Sequence, residues 1–179
     1  ILYPGVSGRV NASRGGLPPK VEGLEHVVLR REVRRYRDLR RDRDIDLLAY
    51  LADPDRRREV AELAVRRGWR CVLPEGFDDR FPELLSRSRA FLSGYGHSFY
   101  EAVALGVHPV AWPLSTAHAA DAAAFYRALG MAPRVVDSAG GLGDLLEPIV
   151  AGRVAALPAL DDGTPRIVAR LQALANEWG

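Results

Sequence analysis

The chain has 179 residues, which suits one domain or one and a piece, and 47% of them are hydrophobic, enough for a sizeable core. Charged residues at 27% and a net charge of +2 describe an ordinary globular composition, neither disordered nor strongly basic. No apolar run approaches the roughly 20 residues that span a bilayer, and Cys71 is the only cysteine, which excludes an internal disulfide and makes a reducing, cytoplasmic home the simplest expectation.

The chain opens without a Met at Ile1, inside an apolar run, so a fragment or a processed chain is expected. Residues 1–23 are interrupted by Pro4, Gly5, Gly8, Gly15, Gly16, Pro18 and Pro19, and do not read as a complete unit. Arg30 to Arg43 is dense in arginine, but Glu32, Asp38 and Asp42 interrupt the run and Tyr36 is its one aromatic. That pattern reads as a solvated linker or helix face, and no nucleic-acid partner is expected. Asp42, Asp44 and Asp46 alternate at a boundary where charge is common, and no His/Cys cluster has zinc spacing, so no metal is expected.

Leu47 to Leu51 reads as a buried strand. Asp53-Pro54 supplies an N-cap and a proline at the first helical position, with Val60, Leu63, Ala64 and Arg67 at helical spacing and Gly68 as the stop. Trp69 to Leu73 is a second strand, and Phe81 to Ser86 a short helix. Ala90-Phe91-Leu92 is a third strand, followed by the turn Gly94-Tyr95-Gly96, a helix from Ser98 to Leu105 and a fourth strand over Val110-Ala111-Trp112. Phe99, Ala102 and Val103 are placed toward the sheet. An alanine-rich helix covers Ala119 to Leu129, Arg134 to Asp137 reads as a fifth strand, and Asp144 to Val150 as a helix. A last helix from Thr164 gathers Ile167, Val168, Leu171, Leu174, Ala175 and Trp178 on one face.

Strands alternate with helices about every twenty residues, which demands parallel pairing through right-handed crossovers. The predicted fold class is α/β, a three-layer, doubly wound parallel sheet of Rossmann-like type. Its ligands bind beyond the strand C-termini, at the switch point. The turn Gly94-Tyr95-Gly96 stands at that edge and ahead of a helix, so main-chain N–H groups converge there and suit an anion. Ser98 and Glu101 also make the S-x-x-E of a capping box, and the two glycines also serve a plain positive-φ turn; both readings stay open. Neither a P-loop nor a G-x-S-x-G elbow occurs.

The stretch Arg89 to Pro113, RAFLSGYGHSFYEAVALGVHPVAWP, carries the pattern S-G-x-G-x-S-x-x-E-A-x-A-L-G-V-x-P. It resembles the nucleotide-sugar signature of the GT-B glycosyltransferases, in the MurG-like branch and among the sugar-nucleotide hydrolases of pseudaminic acid synthesis. Gly23 to Arg30 resembles the G-x-x-Y-x-x-L-R opening of the hydrolase branch, and the likeness runs from about Gly23 to Gly152. The resemblance implies an interdomain segment or a domain remnant over 1–23 and a nucleotide-sugar-binding domain over 24–179.

It further implies that Gly94, Gly96, His97 and Ser98 line the donor diphosphate, that Glu101 takes the ribose hydroxyls, and that Tyr95 between the glycines belongs to the substrate-binding residues. Phe77 stands in the loop that meets the nucleobase, or packs under that loop. His118 stands near the place of a donor-contacting amide, or caps its helix. Tyr50 to Asp53 departs from the family, where a glycine-rich loop follows this strand; side chains and an acid there would crowd or repel a pyrophosphate. The implied function is the UDP-sugar-binding half of a glycosyltransferase, whose catalytic base lies in an N-terminal domain or a partner chain. The alternatives are a sugar-nucleotide hydrolase and a degenerate, non-catalytic binding domain. Apart from the nucleotide-sugar donor no cofactor is expected, and self-association as a homo-oligomer is left open.

Overall fold

Parallel strands buried on both faces read as unbroken apolar runs, and their alternate residues serve opposite layers. Leu47, Ala49, Ala90, Leu92 and Val110 enter one core layer, whereas Leu48, Phe91 and Ala111 enter the other. The protein, described from a computed structural model, is defined at residues 2–3, 22–23, 29–37, 39, 42–76, 78–160 and 162–178. Leu2–Tyr3 (β1) and Glu22–Gly23 (β2) form a separate parallel pair. The main sheet holds Ile45–Tyr50 (β3), Cys71–Val72 (β4), Ser88–Ser93 (β5) and His108–Ala111 (β6), all parallel, in the order β4-β3-β5-β6. The chain steps outward from β3 to β4, then crosses back to β5 and β6, so the switch point lies between β3 and β5.

Four helices cover one face: Arg31–Arg37 (α1), Phe81–Ser86 (α3), Ser98–Ala104 (α4) and Thr116–Ala128 (α5). Pro54–Arg67 (α2) and Leu142–Val150 (α6) cover the other. The chain is therefore an α/β protein with a parallel sheet between helical layers, as the strand–helix alternation predicts. The start of α2 is set as the sequence indicates. Asp53 accepts from the Asp55 and Arg56 N–H groups at 2.8 and 3.1 Å, and Gly68 closes the helix at φ +67°.

Two expectations are corrected. The fifth strand over Arg134–Asp137 is a single parallel bridge between Val135 and Ala111, because only Val136 of that run is buried in the core and the pairing ends there. The alanine-rich helix begins at Thr116, with the Ser115 hydroxyl accepting from the His118 N–H at 3.2 Å. The last helix, Thr164–Trp178 (α7), forms as expected, with Val168 and Leu171 46% and 51% exposed and Ile167 and Leu174 half-buried.

The dense arginine has a structural use. Arg57 donates to the Leu73 and Pro74 carbonyls at 3.0 and 2.6 Å. Arg56 donates to the Trp112 and Pro113 carbonyls at 2.8 and 3.2 Å and lies 4.7 Å from the Trp112 ring centre. Arg43 holds the Ser88 and Leu105 carbonyls. A planar fork with several donors satisfies carbonyls that no neighbouring strand reaches.

Candidate functional site

The crossover from β5 into α4 packs a tight corner against the sheet. Phe99, Ala102 and Val103 face the core as expected, and Tyr100 joins them with its ring 4.9 Å from that of Phe125. Tyr95 has φ +101°, a conformation that costs a side-chain-bearing residue roughly 1–3 kcal/mol. Its ring packs 5.2 Å from Phe99 and 6.1 Å from Phe125, and these contacts hold the backbone there. Gly96 follows at φ +155°, whereas a Cβ on Gly94 would meet only the Trp112 carbonyl at 3.9 Å, an ordinary contact.

The corner opens on a cavity of about 340 Å³ lined by Arg30, Tyr50, Asp78, Phe81, His97, Ser98 and Glu101. It lies where Tyr50 ends β3 and the turn leaves β5, at the switch point of the sheet. Among the described residues, the main-chain N–H groups of Gly96, His97 and Ser98 donate to no protein acceptor. The Tyr50 and Phe81 rings meet edge to face at 5.7 Å on one wall. His97 is exposed at the start of α4 and caps nothing with its side chain.

Glu101 is 1% exposed and does not close a capping box with Ser98. Arg30 donates to it through a fork, Nε to Oε1 at 2.6 Å and Nη2 to Oε2 at 2.8 Å. The hydrogen bonds from Arg30 to Glu101 raise the Arg30 pKa despite partial burial. The Arg30 guanidinium also stacks 5.6 Å from the Phe81 ring centre. Asp78 is committed too: it accepts from Arg80 Nε and Nη2 at 3.2 and 3.1 Å and from the Arg80 N–H at 2.8 Å, and these bonds hold its carboxyl below the usual range.

Gly94, Tyr95, Gly96, His97, Ser98 and Glu101 thus come together at one corner. His118 lies on the exposed first turn of α5 and does not line the cavity. Phe77 lies outside the described residues. Asp53, expected to repel a pyrophosphate, turns its carboxylate to the N–H groups of α2 and does not line the cavity, whereas Tyr50 does. Arg30, Tyr50, Asp78 and Phe81 were not singled out from sequence as cavity residues. The signals were that Tyr50 ends a buried strand at the switch edge and that Arg30 closes the segment resembling the G-x-x-Y-x-x-L-R opening. Arg30 sits 71 residues from Glu101, and nothing local marks that pairing.

Of the alternating acids near β3, Asp44 and Asp46 are structural. Arg87 donates to Asp44 at 2.6 and 2.8 Å, Arg70 also pairs with Asp44, and Arg89 with Asp46. No group of three or more His, Cys, Asp or Glu side chains among the described residues is placed to hold a metal ion. Also among the described residues, no helix is long and apolar enough to cross a membrane. Burial pushes the Cys71 thiol up to about 11, which leaves it a poor nucleophile. No protein-family model matches the chain, and no curated protein matches it either.

Proposed function

We propose that this domain binds a nucleotide-sugar, a UDP-sugar, as the donor-binding half of a GT-B glycosyltransferase. One observation carries the reading. Uncommitted N–H groups at Gly96, His97 and Ser98 stand at the C-terminal edge of a parallel sheet, beside a cavity of about 340 Å³ at its switch point. Donors fixed in a bent backbone need no reorganisation to meet a diphosphate, and they stabilise charge that grows on it as the glycosidic bond breaks. The Tyr50 and Phe81 rings give the nucleoside an apolar wall. The base that activates an acceptor is assigned to an N-terminal domain, as in the resembled family.

A second reading, a nucleotide-binding domain without transfer activity, is favoured by the Arg30–Glu101 fork, which occupies both oxygens of the carboxylate expected to take the ribose. Titration calorimetry with UDP tests the shared part. Saturable binding that inorganic pyrophosphate competes away supports both readings, and absence of heat at millimolar UDP rejects both. Release of UDP from a UDP-sugar, measured with and without an acceptor, then separates transferase, hydrolase and plain binder.

A further inference from the structure

We infer that Tyr50 is a ligand-binding residue of the cavity, its phenol hydroxyl donating a hydrogen bond to a phosphoryl oxygen of the nucleotide. The inference rests on the nucleotide reading above and adds to it a contact from the first strand of the main sheet. Tyr50 is the last residue of β3 and the register partner of Ser93, the last residue of β5, after which the chain turns through Gly94 and Gly96 into α4. Neighbouring strands lie about 4.8 Å apart, a gap that a tyrosine side chain spans. Tyr50 shares the face of Leu48, two residues earlier on the strand, and its ring meets Phe81 edge to face at 5.7 Å. The ring therefore stands between α3, which carries Phe81, and the amides that open α4. A ligand that reaches from those amides to the apolar wall passes over it.

The neighbouring charged side chains are already occupied. Arg30 and Glu101 hold each other, and Asp78 is held by Arg80. Asp53, three residues beyond Tyr50, spends its carboxylate on the amides of α2 and does not line the cavity, so it opposes no phosphate there. The Tyr50 hydroxyl has no hydrogen-bond partner among the described residues, and the residue is 36% exposed. With the N–H groups of Gly96, His97 and Ser98 it makes a set that can donate throughout, which suits a ligand group that only accepts. The Phe81 contact restrains the phenol ring, so little rotamer freedom is left to lose when the hydroxyl binds. A hydroxyl is a neutral donor, so its contribution is directional and changes little with ionic strength. An apolar wall would use the ring alone, and the hydroxyl is what separates the two roles.

The experiment compares UDP, uridine and inorganic pyrophosphate by titration calorimetry on the wild-type chain, on Tyr50→Phe and on Tyr50→Gly. Tyr50→Phe keeps the ring and removes only the hydroxyl; circular dichroism checks the fold of both variants. The expected result for Tyr50→Phe is about tenfold loss of UDP and pyrophosphate affinity at low and high salt alike, in line with a hydrogen bond to a charged group, with uridine binding unchanged. Tyr50→Gly, which also removes the wall, is expected to weaken uridine as well. Wild-type UDP affinity in Tyr50→Phe overturns the assignment and leaves Tyr50 a wall. An equal loss for uridine in that variant overturns it too, as does tighter UDP binding in Tyr50→Gly, which would show that the side chain obstructs the ligand. If the wild type binds pyrophosphate but not UDP, and Tyr50→Phe weakens that binding, the nucleotide reading fails and the role of Tyr50 stands. If it binds neither, both fail.

Discussion

Asp162 Oδ1 accepts from the Leu29 N–H at 3.5 Å and from the Thr164 N–H and hydroxyl at 3.0 and 2.6 Å, so one carboxylate joins residues 133 apart in sequence. It ties the segment leading to Arg30 to the start of α7, and Arg34 adds an ion pair at 3.4 Å. Burial disfavours its charge, but the hydrogen bonds from Thr164 and Leu29 outweigh that and hold the carboxyl below the usual range. Asp162→Ala is expected to cost about 1 kcal/mol, the worth of a helix cap, and to raise hydrogen exchange in α7 before the sheet. Uniform exchange across the chain would show that the cap is not local.

The Arg30–Glu101 fork predicts an asymmetry in stability. Arg30→Ala leaves a buried carboxylate without its cation and is expected to cost about 2–4 kcal/mol, less than for a fully enclosed pair because Arg30 is partly exposed. The double variant Arg30→Met with Glu101→Gln is expected to cost less than about 1.5 kcal/mol. Urea unfolding measures both. A double variant no more stable than Arg30→Ala would mean that packing, not charge, sets the cost.

Tyr95 separates strain from packing. Tyr95→Ala loses the ring contacts with Phe99 and Phe125 and keeps a side chain at φ +101°. Tyr95→Gly loses the same contacts but relaxes the backbone. The glycine variant is expected to be the more stable by about 1 kcal/mol, net of its greater unfolded-state entropy. Thermal unfolding of the pair checks the order, which reverses if the backbone carries no strain.

His108 gives the chain a pH response. Burial, with Arg134 and Arg43 close by, lowers its pKa to about 4, and Arg134 Nη1 donates to its Nδ1 at 2.7 Å. An unfolded histidine titrates near 6.5, so the unfolded state takes the proton first as pH falls. The contribution is therefore fully present above about 6.5 and is lost between about 6.5 and 4. After discounting for partial exposure, about 1–2 kcal/mol should disappear over that window. His108→Gln, which keeps an acceptor for Arg134, should flatten the slope. A slope unchanged in that variant would assign it to other groups.

Asp44 acts lower on the pH scale. The Arg87 hydrogen bonds lower its pKa to about 2, so its contribution is present above the unfolded value near 4 and is lost as pH falls toward 2. Asp44→Asn should narrow the stability difference between pH 5 and pH 2.5 in unfolding scans.

The sequence by itself determined the alternation of strands and helices, the Asp53 cap, the Gly68 stop and the corner that follows Ser93. These depend on periodicity and on local backbone chemistry, which neighbours in sequence carry in full. Tertiary structure decided what the acidic and aromatic residues do. Glu101 fits a capping box within four residues, yet its carboxylate goes to Arg30, brought there by the segment that Asp162 holds. Asp53 looks like a repulsive acid beside the candidate pyrophosphate site, yet its lone pairs go to amides at the start of α2. The run at Arg134–Asp137 has the residues of a strand, yet only one bridge forms at that edge of the sheet. In each case a polar group or an edge residue had several partners of similar chemistry to choose from, and the choice was made by packing between segments far apart in the chain.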